Sequence, residues 1–235
     1  MDCQILVYWI RWTPIGQTTR DGEKMKMSDF DLQMQAYIRD KKYDDAERFM
    51  LERYAQVKAD GTPTELRDIL DQAAMFYRLP FKRNLAMAEH YYHEMEAIFP
   101  GWETDLCVTS FYFYRLRDFA KTIDRVTAMA ARKDSYKEPV QFLYSALSLK
   151  GLALIYLNRF EEAVLVLREL DRIISSTPNQ VPYGDEFNFL SAMMDANIDP
   201  KGCKDLAAVI VNRVRDKEFK DKYRAILDRN NTRSQ

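Results

Sequence analysis

The sequence predicts an all-α protein, and three observations predict it. Only 7 glycines and 8 prolines punctuate 235 residues, so turns are few. Alanine, leucine, methionine, glutamate, lysine and arginine, all good helix formers, are plentiful. Apolar residues also recur at helical spacing in successive segments of similar layout. With 47% hydrophobic and 30% charged residues, the chain can bury a substantial core and is too apolar to be disordered.

Residues 1–26 stand apart from this pattern. Met1 to Trp12 is rich in Ile, Val, Tyr and Trp and reads as a short strand, followed by turn residues through Pro14, Gly16 and Gly22. The segment lacks the basic start, long apolar stretch and small-residue cleavage site of a secretory leader. Met25 and Met27 precede Ser28-Asp29, which has the form of a helix N-cap. The expectation is an extended or disordered segment, an upstream extension of a native chain that starts near Met27, with an edge strand or docking arm as the rival reading.

From residue 27 onward the chain repeats. Aligned on Ala46, Ala88, Thr122 and Ala163, four units place Tyr43, Leu85, Phe119 and Phe160 three positions earlier and Met50, Tyr92, Val126 and Leu167 four later. These spacings keep one face of a helix apolar. A preceding helix carries Phe30, Leu106 and Leu147 sixteen positions before the small residue, and Tyr37, Phe113 and Leu154 nine before it. The second unit needs two extra residues. Its loop, Leu79 to Asn84, absorbs them, and Leu70, Ala74 and Tyr77 take the equivalent places. Pro80 in that loop ends the helix before it.

These units resemble the tetratricopeptide repeat (TPR). The fourth is the clearest copy: Leu147, Gly151 and Leu154, then Asn158-Arg159-Phe160-Glu161-Glu162-Ala163, then Leu167 and Leu170. The first unit follows it through Phe30, Tyr37 and Lys41-Lys42-Tyr43-Asp44-Asp45-Ala46. The second and third units are divergent, with Thr122 and Ser110 in the small places, and the family's tryptophan is absent at the start of every unit. The resemblance implies a right-handed solenoid of about four to five helical hairpins with a C-terminal capping helix. Small residues let paired helices approach closely, and stacked pairs bury the apolar faces each leaves open.

Four pairs are expected within 27–178. Residues 179–235 supply a degenerate fifth pair and the cap, carrying Phe187, Leu190 and Met193, then Leu206, Val209 and Ile210, then Phe219, Tyr223 and Ile226. From Lys201 onward ten basic and five acidic side chains make a basic tail on a chain whose formal net charge is -1.

Enzymatic chemistry finds no foothold. No nucleotide-binding glycine loop, nucleophile elbow or zinc-protease motif occurs, so neither catalytic residues nor a cofactor are expected. His90, His93 and Glu94 share a helical face, but the repeat register turns Ala88, Tyr92 and Met95 inward and leaves both histidines in water, so no metal is expected there. Cys3, Cys107 and Cys203 have no CxxC spacing, which points to a reducing, cytoplasmic setting. No apolar run is long enough to insert in a membrane.

The expected function is a non-enzymatic scaffold or adaptor that binds a peptide or helix of another protein. By the resemblance, first helices line a concave groove, at places here held by Arg39, Met75, Arg78, Phe111, Tyr114, Arg115 and Ile155. The three arginines form a ladder for carboxylates or carbonyls on one reading and complement their own helix dipoles on the other. Two alternatives are a regulatory sensor for a signal peptide or small ligand, and an RNA-binding helical repeat carried only by the C-terminal charge. Partner identity and oligomeric state are open.

Overall fold

A computed structural model describes residues 29–135, 139–177 and 185–229. The chain divides after Phe99 into two compact units. The proposed strand at Met1 to Trp12 and the Ser28 cap lie outside the described residues.

The first unit holds α1 (Asp29–Arg39), α2 (Tyr43–Asp60), α3 (Pro63–Arg78) and α4 (Leu85–Ile98), each packed on the next. Local chemistry sets the boundaries. Thr62 and Glu65 form a reciprocal capping box around Pro63, which opens α3 without wasting a backbone donor. The α3 to α4 connection is the Leu79 to Asn84 loop, where the Asn84 side chain accepts the Met87 N–H and caps α4. Leu70, Ala74 and Tyr77 are buried as expected. Across the pairs, Lys82 reaches Asp44 at 2.8 Å and Glu47 at 2.6 Å, and Tyr77 donates to Glu47 at 2.7 Å. Burial pushes the Glu47 carboxyl up, yet the hydrogen bonds from Lys82 and Tyr77 outweigh it and hold it below the usual range.

The second unit holds α5 (Trp102–Phe111), continued by a π-turn (Tyr112–Leu116), then α6 (Phe119–Ala131), α7 (Pro139–Tyr156), α8 (Phe160–Ser176), α9 (Asp185–Asp195), α10 (Pro200–Arg213) and α11 (Lys217–Asp228). Helices α5 and α6, α7 and α8, and α9 and α10 pack as neighbours. Helix α7 also packs on α5 and on α9, and α8 on α10. Helix α11 lies against α9 and α10, with Tyr223 and Ile226 fully buried in the shared core. No strand occurs among the described residues.

One turn recurs in all five pairs. Lys41, Arg83, Arg117, Asn158 and Asn197 stand in the left-handed region, with φ of 59°, 38°, 53°, 57° and 54°. The N–H of the next residue reaches back to the first helix: Lys42 to Tyr37 at 2.8 Å, Asn84 to Tyr77 at 2.9 Å, Asp118 to Tyr112 at 3.0 Å, Arg159 to Leu154 at 2.9 Å and Ile198 to Met193 at 2.8 Å. This satisfies a carbonyl the helix end would leave open. The fifth pair is more regular than its sequence suggests. Cys203, Leu206, Ala207 and Ile210 are buried forty positions after Ala163, Val166, Leu167 and Leu170, and make the same inner face.

The third pair departs from the expected register. Asp118 bonds to a carbonyl six residues back where Arg159 bonds five back, because the π-turn inserts one residue. Everything upstream shifts by one place. Thr109 and Asp105 are therefore buried, while Ser110 and Leu106, the expected small and large residues, are half-buried. The buried Asp105 carboxylate is met by Arg132 at 3.1 Å and Arg125 at 3.8 Å. Spacing alone gave no sign of the inserted residue.

Candidate partner-binding surface

Each expected groove residue has a definite environment in its own unit. Arg39, in the last turn of α1, is exposed and pairs with Asp40 at 3.1 Å. Arg78 ends α3 half-buried, donating to the Tyr92 hydroxyl at 2.6 Å and reaching the Met75 sulfur at 3.1 Å. Met75 is half-buried beside it. The structure thus gives Arg39 and Arg78 the helix-end placement that dipole complementation requires, and gives Arg78 an additional hydroxyl. Arg115 falls in the π-turn and is exposed.

Phe111 must be corrected. It is fully buried, edge-on to Tyr112, because the register shift turns it into the core, so its ring offers nothing to a partner. Within the run 111–114, Phe111, Tyr112 and Phe113 are buried and Tyr114 is exposed. The π-turn separates them by sending the last of the four outward.

Tyr114 belongs to an aromatic cluster at the turn end of the second unit. Phe113 is its buried centre, with ring centroids 4.8 Å from Tyr114, 5.5 Å from Phe119 and 6.0 Å from Tyr156. Phe119 and Tyr156 stack face to face at 4.7 Å with 10° between planes. Tyr114 keeps 50% of its surface in water and Tyr156 59%. Leu157 and Phe160 extend the exposed apolar surface across the α7 to α8 turn, and Ile155 lies half-buried against the core beside them. Two half-exposed tyrosines packed on a buried phenylalanine present an amphipathic surface to solvent.

Tyr156, Leu157 and Phe160 were not among the residues expected to bind. The signal was present: three large apolar side chains, Tyr156, Leu157 and Phe160, fall within the five residues of one turn. Their place three before the small residue puts Phe119 and Phe160 on the inner face by sequence. That place is the first residue of its helix, and only one side of it is covered.

The polar groups of α4 are engaged locally. Glu94 accepts from Tyr54 at 2.7 Å and from Lys58 at 2.8 Å, while His93 lies 3.0 Å from Glu96 and 3.5 Å from Glu89. Both histidines are exposed. No group of three or more potential metal ligands occurs among the described residues. Cys203 is fully buried, and burial, aided by the Asp199 charge, pushes its thiol up to about 12. No described helix is long and apolar enough to cross a membrane.

No protein-family model matches the chain, and no curated protein matches it. A solved structure that does match is the crystal structure of PilW, described as a widely conserved type IV pilus biogenesis factor. It is 17% identical over 83% of this chain and 89% of that chain, with a TM-score of 0.49. At that identity and score the likeness assigns neither a family nor a function to this chain.

Proposed function

We propose that this chain is a non-enzymatic, tetratricopeptide-like scaffold that holds a peptide or helix of another protein. The observation that carries the reading is the exposed aromatic cluster around Tyr114 and Tyr156. A soluble surface gains nothing by holding stacked rings half in water, whereas tyrosines anchored in this way are typical binding hot spots. Tyr114, Arg115 and Ile155 contribute in the second unit, joined by Phe119, Tyr156 and Phe160. Arg39, Met75 and Arg78 are the corresponding candidates in the first. The two described cysteines are free, which supports a reducing compartment such as the cytoplasm.

The test is affinity capture from a native extract with the full chain, beside a Tyr114→Ser/Tyr156→Ser variant whose helicity and melting are checked. Capture of a specific partner is expected to fall by about thirtyfold or more, the effect of losing a hot spot of roughly 2 kcal/mol. Equal capture by both proteins would remove the aromatic cluster from the binding surface.

A further inference from the structure

The turn edges carry a second pattern. A non-glycine residue in the left-handed region costs of order 1 kcal/mol, less for asparagine, whose side chain tolerates it. The fourth and fifth pairs use asparagine there, at Asn158 and Asn197. The first three instead place long cations, Lys41, Arg83 and Arg117, where glycine or asparagine would be less strained. All three are exposed. Among the described residues their side chains make no hydrogen bond or ion pair, so local structure there gives no return for the strain.

Each of these cations stands two residues from a stacked ring. In the first unit Lys41 precedes Tyr43 and Arg83 follows Phe81, and those rings stack at 3.9 Å with 9° between planes. In the second unit Arg117 precedes Phe119, which stacks on Tyr156 at 4.7 Å. The nearby anions are already committed: Asp44 and Glu47 to Lys82, Asp40 to Arg39, and Asp118 to the Lys121 N–H as cap of α6. Unpaired cations beside fixed aromatic surface are left over in both units.

Resting on the scaffold reading above, we infer that the turn edge of each unit recognises a protein segment in which carboxylates are spaced from bulky apolar side chains. The carboxylates meet Lys41 and Arg83 in the first unit and Arg117 in the second. The apolar side chains meet the Tyr43–Phe81 and Phe119–Tyr156 ring pairs. A single-stranded RNA could also use rings and cations. Its phosphates, one per nucleotide, would however meet the exposed Asp40 and Asp44 as well as Lys41, whereas a peptide can space its charges around them.

The experiment is selection of a displayed library of random short peptides on the full chain, repeated with a Lys41→Asn/Arg83→Asn/Arg117→Asn variant. Asparagine suits the left-handed turn, so the variant is expected to melt no lower than the parent. Selected peptides should combine Asp or Glu with Leu, Phe or Trp and bind the variant roughly tenfold more weakly. The inference is overturned if basic or uncharged peptides dominate, if nothing is enriched, if affinity is unchanged in the variant, or if a uridine oligoribonucleotide displaces the peptides. Partner capture that depends on Tyr156 while acidic peptides fail would leave the scaffold reading standing and sink this inference alone.

Discussion

Gly151→Ala is expected to destabilise the second unit by about 1–3 kcal/mol. In an ordinary helix the same change stabilises by roughly 1 kcal/mol, because glycine gives up more backbone freedom on folding. The reversal comes from Phe189. A β-carbon on Gly151, in α7, would lie within 2.7 Å of three carbons of that ring. Phe189 is itself fully buried in α9, packed among Leu147, Leu190 and Met193, so the ring has no free space to swing into. Overpacking must therefore push α7 from α9 or force Phe189 off its rotamer. A urea-unfolding midpoint checks the sign. Adding Phe189→Leu should return most of the loss, a coupling that two independent sites would not show. A raised midpoint for Gly151→Ala would mean that the close approach does not constrain the packing.

The second large effect is electrostatic. Asp71, on α3, has its Oδ1 buried without a hydrogen-bond partner. Burial raises its carboxyl to about 7, against the pull of Arg78 and with a push from Asp68. In the unfolded chain the same group titrates near 4. As pH rises from about 4 to about 7, the unfolded chain releases this proton while the folded unit keeps it, so the contribution of Asp71 to stability declines across that window. Above pH 7 it is at its least favourable. Asp71→Asn removes the titration and is expected to stabilise the first unit by about 1–3 kcal/mol at pH 8, with little change at pH 4.5. Parallel denaturation curves at the two pH values test it. An equal effect at both would show that the carboxyl is not held neutral by its surroundings.

Much of the architecture could be read from the chain. Small residues in the second helix of each unit, with apolar partners three before and four after, located α2, α4, α6 and α8, and Ala46, Ala88, Thr122 and Ala163 are all fully buried. Pro80 and the loop to Asn84 gave the correct correspondence for Leu70, Ala74 and Tyr77. These assignments worked because they rest on local facts: helical periodicity, a proline that ends a helix, and the size of a side chain at a crossing. The candidate site was less legible. Exposure depends on which neighbouring element arrives, and spacing in one helix says nothing about that. Phe111 and Tyr114 look alike in sequence, yet one is core and the other surface.

The sequence by itself determined the helical class of the described residues, the positions of the turns and the inner faces of every paired helix but α5, since each follows from side-chain period and turn chemistry within a short window. Only the tertiary structure decided what those faces meet. It showed that the space at Gly151 is filled by Phe189 of the following pair, a direct contact between two helices that another helix separates in sequence. It showed that one inserted residue in a π-turn rotates α5 and carries Asp105 and Phe111 inward. It also showed that Tyr156 stays exposed, with Phe119 stacked on its ring and 59% of its surface in water. Packing between distant segments is a property of the whole fold, and no local pattern contains it.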